Sequence, residues 1–219
     1  MAASRSGVST LDPDLSEEAA LQQGGFSRVA GVDEAGRGAW AGPLVAAAVM
    51  LPPPDTAPAD LFAGVRDSKQ LTAGRRDALY AGIVAQARAV GVGAVAADEI
   101  DLLGLTAANQ LAMVRAVRAL ELTPDFVLVD AFTLKSLGLP QRGLIKGDQR
   151  SLSIAAASII AKVYRDRWLA ALAQTYPGYG FEGHRGYGAT IHQQALRTLG
   201  PTPIHRLSYA PLRALVPSL

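Results

Sequence analysis

The sequence predicts one α/β domain built on a mixed sheet flanked by helices. Three observations carry that expectation. The chain has 219 residues, 49% of them hydrophobic, enough to bury one sizeable core. Short apolar stretches come first, and helical and strand-like stretches then alternate. Connections of helical length join the later strands, which makes those strands parallel.

Residues 1–27 are polar and broken by Asp12-Pro13 and Gly24-Gly25, and read as a loose tail with a short helix near 15–23. Residues 28–219 form the expected domain. A strand over 29–33, a glycine-rich turn over 35–41 and an apolar strand over 42–51 suggest a hairpin, ended by Pro52–Pro54. Residues 72–89 have the spacing of an amphipathic helix, with Thr72 as its cap, and a small-residue strand follows over 90–97. A second helix is expected over 106–121 and a buried strand over 126–130. One more short strand is expected at 143–146. An alanine-rich helix should span 151–175, a loop with five glycines 176–188, and a last helix 189–199.

Cysteine is absent and only His184, His192 and His205 are present, which excludes a disulfide framework and argues against a zinc site. The longest apolar runs, 43–51 and 152–161, fall far short of the ~20 residues of a membrane helix. No apolar signal core opens the chain, so a cytoplasmic protein without membrane contact is expected. Net charge is only +2, but residues 1–130 carry 10 cations against 16 acids and residues 131–219 carry 11 against 3. An acidic half joined to a basic half can attract a polyanion around embedded carboxylates.

Four acids fall where a fold can gather them. Asp33 and Glu34 close the first strand, Asp130 closes another, and Asp148 precedes the long helix. Clustered carboxylates repel one another and persist where divalent cations neutralise them, and all-oxygen ligation favours Mg²⁺ or Mn²⁺. Adjacent strand residues point to opposite faces, so Asp33 and Glu34 should diverge unless the bend toward Gly36 relieves it. Singly, each acid is as readily a cap or a surface charge, and Asp148 could cap the helix after it. Asp98, Glu99 and Asp101 read as a solvated helix start.

The segment Gly31-Val-Asp-Glu-Ala-Gly-Arg-Gly38 resembles the GxDExGRG signature of ribonuclease HII, the type 2 ribonuclease H family. The resemblance continues in order through Asp67-Ser68-Lys69, Val127-Leu-Val-Asp130, Lys146-Gly-Asp148 and Ala155-Ala-Ala-Ser-Ile-Ile-Ala-Lys162. It ends with Tyr176-Pro-Gly-Tyr-Gly-Phe-Glu-Gly-His-Arg-Gly-Tyr187 and Ile204-His-Arg-Leu-Ser-Tyr-Ala-Pro211, so it spans nearly the whole chain after the tail.

The resemblance implies a ribonuclease H-like mixed sheet with added C-terminal helices. It implies that Asp33, Glu34, Asp130 and Asp148 bind two divalent ions, one at Asp33 and Asp148 and one at Asp33, Glu34 and Asp130. Gly36, Arg37 and Gly38 match the tripeptide whose backbone senses a ribonucleotide 2′-hydroxyl, and Tyr187 the tyrosine that packs on the following deoxyribose. The implied activity is hydrolysis of the RNA strand of RNA/DNA hybrids, and nicking of duplex DNA 5′ of embedded ribonucleotides to leave 3′-hydroxyl and 5′-phosphate ends. A monomer is expected, and no motif specifies a clamp protein. Ala131-Phe132 and Arg185 depart from the family's usual residues, but neither touches a ligand position.

The residues themselves fit this reading. Glycine lets backbone approach a sugar closely, and a backbone N–H or C=O can read a 2′-hydroxyl without reading the base. Lys69, Lys146, Lys162, Arg165 and Arg185 are candidates for phosphate contact, with Lys69 first, and Ser68 either caps a helix or binds phosphate. Lys162 and Asp166 are spaced to pair with each other. His184 reads as a turn-filling loop residue, Trp40 and Trp168 as core or partly buried, and residues 212–219 as docking on the protein's own core.

Overall fold

The computed structural model describes residues 12–56 and 62–215. The elements are α1 (Ser16–Gln23), β1 (Val29–Ala35), β2 (Leu44–Met50), α2 (Ala73–Gln86), β3 (Ala89–Val95), α3 (Ala97–Leu103), α4 (Leu105–Arg118), β4 (Phe126–Asp130), β5 (Gln141–Leu144), α5 (Leu152–Thr175), α6 (Phe181–His184), α7 (Thr190–Leu199) and α8 (Ala210–Leu215). The sheet has five strands in the order β3-β2-β1-β4-β5. The β1/β2 and β2/β3 pairs are antiparallel, and β1/β4 and β4/β5 are parallel. The mixed sheet follows from the connections: a turn suffices between β1 and β2, whereas α3 and α4 carry the chain from β3 to β4.

Strand alternation sorts the two faces. Ala30, Val32, Ala46 and Ala48 pack on α4 with Ala112, Met113 and Ala116. Ala35, Ala47 and Val49 pack on α5 with Ala155, Ile159 and Ile160. Small side chains bring α5 unusually close. A Cβ built on Gly31 would stand 2.3 Å from the Ile154 backbone nitrogen, so any larger residue would push the helix off the strand. Thr72 and Ser151 cap α2 and α5 through bonds to the Arg75 and Ile154 N–H groups. Ser151, not Asp148, therefore caps the long helix.

The tail expectation is corrected from Pro13 onward. Helix α1 docks against the start of α5, where Glu18 is buried. One Glu18 carboxylate oxygen accepts the Ser153 N–H at 3.0 Å and the hydroxyls of Ser151 and Ser153. A carboxylate at the positive end of a 24-residue helix is favourable there. Glu17 pairs with Arg142 and Arg150 at 2.5 Å each. Residues 1–11 of the expected tail lie outside the described residues. Asp101 is not merely solvated either, because its carboxylate accepts the N–H groups of Leu207 and Ser208 and anchors the C-terminal segment. Leu212 is fully buried beside Leu169 and Leu196, as the core-docking expectation requires, while residues 216–219 are outside the described set. The last sheet strand is Gln141–Leu144, two residues earlier than expected, because it continues the β4 ladder and Lys146 turns out of it in a left-handed conformation.

Candidate active site

The parallel register of β1 and β4 places the acids. Val32 lies opposite Val129, so the next residues, Asp33 and Asp130, stand side by side at the same sheet end. Both lie on the α5 face, Asp33 beside Ser158 and Asp130 in step with Leu128. Asp148 sits in the single turn Gly147–Gln149 between β5 and α5. That turn is tied to β4 by the Gly147 N–H, which donates to an Asp130 oxygen at 2.8 Å.

The bend toward Gly36 comes too late to relieve the divergence, since β1 runs regularly through Ala35 and the chain turns only at Gly36. Glu34 therefore leaves by the opposite face, toward Asn109 of α4, and reaches the other acids around the sheet end.

The electrostatic couplings run through Asp130, whose charge raises Asp33, Glu34 and Asp148. Burial raises Asp33 well above the usual carboxylate range, helped by the charges of Glu34 and Asp130. Burial also raises Glu34, with Asn109 opposing it and Asp130 adding to it. Asp130 is raised by burial, against its bond from Gly147. Asp148 is pushed up to about 6 by burial, then by Asp67 and Asp130. Lys69 loses basicity to burial but regains more from Asp67, Asp33, Asp148 and Asp130, so it ends above its ordinary value. Among the described residues none of the four acids enters a salt bridge. Nor do three of them close into a ready-made cage. Such a set of hard oxygen donors, with Lys69 and Arg37 as its nearby positive charges, is of the chemistry that a divalent cation takes.

Beside the acids, Gly36 has φ +86°, and a Cβ on it would fall 1.9 Å from the Arg165 Nε. Its glycine is demanded from inside the protein. Gly38 is exposed and a Cβ there would meet nothing within 4 Å, so the protein itself leaves that space open. Tyr187 is 37% exposed, with Lys162 Nζ 5.6 Å and Arg165 Cζ 5.5 Å from its ring centre. Lys69, Arg37 and Lys146 are exposed.

The expected phosphate contact of Arg165 is corrected, and Ser68 takes neither of its two expected roles. Arg165 is fully buried and donates to the carbonyls of Pro43, Arg185 and Ala41 at 2.8–3.0 Å. Ser68 is 3% exposed and its hydroxyl accepts from Ser158 at 2.8 Å, which fastens the Asp67–Lys69 turn to α5. Lys162 pairs with Asp166 at 2.8 Å, and His184 fills its turn by bonding Tyr179 and Gly186. Trp168 is 39% exposed and Trp40 is half-buried.

Residues unmarked by the sequence reading also shape the site. Asp67 was visible only as part of a motif, yet its charge raises both Asp130 and Asp148. Asn109 faces Glu34 from a helix with no polar pattern to flag it. Arg206, fully buried, donates to the carbonyls of Gly42 and Arg37 and so braces the Gly36–Gly38 turn from beneath.

The family model for ribonuclease HII matches residues 30–212. The chain belongs to the ribonuclease HII family. Ribonuclease HII of Chloroflexus aurantiacus is 52% identical over 200 residues, covering 91% of this chain and 94% of the relative. That of Dehalococcoides mccartyi strain 195 is 49% identical over 203 residues, covering 93% and 95%. Among solved structures, ribonuclease H2 from Pyrococcus horikoshii superposes with a TM-score of 0.72 at 31% identity, covering 86% of this chain and 96% of that one. The ribonuclease HII of a complex with PCNA from Archaeoglobus fulgidus gives 0.69 at 27%, covering 83% and 95%. The five-stranded mixed sheet is thus the ribonuclease H-like fold. The protein is a nuclease of a divalent-metal-dependent family that cleaves the RNA of RNA/DNA hybrids. Among the described residues no helix is long and apolar enough to cross a membrane.

Proposed function

We propose that residues 28–219, with α1 docked on them, form an endonuclease that also nicks duplex DNA on the 5′ side of an embedded ribonucleotide, leaving 3′-hydroxyl and 5′-phosphate ends. The observation that carries this is the β1–β4 register, which sets Asp33 against Asp130 within a few residues of an open glycine turn that backbone alone can offer to a 2′-hydroxyl.

Asp33, Glu34, Asp130 and Asp148 would hold two divalent ions, Mg²⁺ or Mn²⁺, which when bound neutralise the phosphodiester and activate water for in-line attack. Asp130 is the acid that both Asp33 and Asp148 adjoin electrostatically, so it links the two halves of the quartet. Lys69, held protonated by its acidic neighbours, stands ready to meet a phosphate oxygen. Lys146 adds a second cation at the Asp148 turn. The Gly36-Arg37-Gly38 backbone reads the sugar, and the Tyr187 ring packs on the deoxyribose that follows it, contacts indifferent to base identity.

The test compares a duplex bearing one ribonucleotide with an all-DNA duplex and a continuous hybrid, in magnesium. Cleavage 5′ of the single ribonucleotide, and none of the all-DNA duplex, is expected. A preparation that cuts only the continuous hybrid would remove the nicking activity, and near-normal cleavage by Asp33→Asn would remove the metal-site assignment.

A further inference from the structure

All three histidines of the chain meet behind the loop that carries Tyr187. The rings of His184 and His192 stack 4.6 Å apart, and those of His192 and His205 lie 5.3 Å apart, enclosed by Phe181, Tyr179 and Trp40. His192 and His205 are buried to 0% and 2% exposure.

Their shortest hydrogen bonds favour one placement of protons. The Thr202 backbone N–H lies 2.8 Å from His205 Nδ1 and can only donate, a closer contact than the 3.3 Å approach of the same nitrogen to the Thr202 carbonyl oxygen, so Nδ1 accepts and the ring proton is on Nε2. That Nε2–H points at His192 Nε2, 3.0 Å away, which must therefore accept. The His192 proton is then on Nδ1, and Nδ1 lies 2.9 Å from the Tyr187 carbonyl oxygen, which can only accept. Donors and acceptors then alternate along the shortest contacts of the series Thr202, His205, His192, Tyr187.

His184 obeys the same logic. Gly186 N–H donates to its Nδ1 at 3.2 Å, and its Nε2–H donates to the Tyr179 carbonyl at 2.8 Å. Burial holds His192 below the ordinary imidazole value and His205 down to about 4, so both are neutral at neutral pH.

What the series holds is a backbone that needs holding. Arg185 and Gly186 both have positive φ, at +54° and +81°. The Arg185 carbonyl is taken by Arg165, that of Gly186 by the N–H groups of Trp40 and Ala41, and that of Tyr187 by His192 together with Ala189 N–H. The Tyr187 carbonyl is thus fixed inward while its ring stands outward.

We propose that His192 and His205 are positioning residues for Tyr187: a proton-ordered imidazole pair that sets where the Tyr187 ring meets the sugar of the substrate. The inference rests on the reading of Tyr187 as a substrate contact. It assigns the pair no proton transfer to the reacting phosphate.

Two measurements test it. In ¹⁵N-histidine NMR spectra of the unmodified protein at neutral pH, protons are expected on Nε2 of His184 and His205 and on Nδ1 of His192. A charged imidazole in the pair, or a proton on Nε2 of His192, overturns the proposal.

In kinetics on a duplex with one ribonucleotide, His192→Phe keeps the ring volume but loses both bonds. It should raise KM by about tenfold, the scale of one mispositioned stacking contact, while kcat changes far less. His192→Asn, which keeps a donor near the Nδ1 position, should recover most of that loss. Tyr187→Ala alone should raise KM similarly, and adding His192→Phe to it should do nothing more. If His192→Phe retains its full effect in the Tyr187→Ala background, the positioning role falls while Tyr187 keeps its own. If Tyr187→Ala leaves KM unchanged, the substrate reading of Tyr187 fails and the positioning role falls with it.

Discussion

The sheet end that carries the acids and the seat beneath the Tyr187 loop are built on opposite principles. At the sheet end, four carboxylates lie close enough to raise one another, and among the described residues none has a cationic partner in a salt bridge. Beneath the loop, the buried arginines and histidines are bonded throughout: Arg165 to three carbonyls, Arg206 to Gly42, Arg37 and Tyr209, and the imidazoles to one another and to backbone. The first region is held under electrostatic stress of the kind a bound cation would relieve, and the second is tied together by buried polar groups that, Arg185 Nη1 excepted, are bonded. The proposed chemistry falls on the stressed region and the proposed positioning on the bonded one.

The largest expected effect breaks the stressed side. Asp130→Asn should lower the cleavage rate by about 10³-fold, since several kcal/mol of transition-state stabilisation depend on bound cations. In chelator, the same variant should melt at a higher temperature than the unmodified protein, because one repelling charge is gone. Activity and metal-free stability moving in opposite directions, by single-turnover assay and thermal denaturation, would separate a functional acid from a structural one.

The next breaks the satisfied side. Arg206→Met should destabilise the fold by about 3 kcal/mol, because the carbonyls of Gly42 and Arg37 lose their donor in a buried setting. Urea denaturation reads this directly. A variant as stable as the parent would show that the seat is not braced by Arg206.

A smaller effect sharpens the contrast through pH. Asp148, raised to about 6, binds protons more readily folded than unfolded, so its contribution to metal-free stability declines as pH climbs from about 4 to 6 and then levels. His205, lowered to about 4, has the opposite sign, and its contribution grows from about pH 4 to about 6.5. The two oppose each other over one window. Asp148→Asn should therefore shift the slope of metal-free stability against pH between about 4 and 6 in the positive direction, measured by denaturation at fixed ionic strength.

The smallest stability effect is expected at the open glycine. Gly38→Ala should stay within about 0.5 kcal/mol of the parent in denaturation, because no protein atom stands where its methyl would go. Any loss of cleavage in that variant then reports on the substrate's approach, not on the fold.

Much of this was legible in the chain. Asp33, Glu34, Asp130 and Asp148 stand at strand ends or turns that periodicity locates, and the long helix announces itself by its alanine run and by Ser151 at its start. Asp67 and Arg206 were less legible, because a lone charge beside a motif carries no mark of what it will face. Arg165 misled for a physical reason: an arginine on a basic helix face usually meets solvent, and only the close approach of the 41–43 and 185–186 backbone turned it inward. The tail misled similarly, since the Ser151 and Ser153 partners of Glu18 lie more than 130 positions away.

Local pattern, which depends on residues a few positions apart, determined most of the strands and helices, and the ordered motifs that resemble the family singled out the acids. Which face each acid left by, which cations stayed in water, and how three scattered histidines came to order their protons were decided by contacts between residues 13 to more than 100 positions apart. Such contacts exist only once the sheet has been assembled and water excluded, because a hydrogen bond or a charge acquires its strength from the surroundings that the whole fold provides.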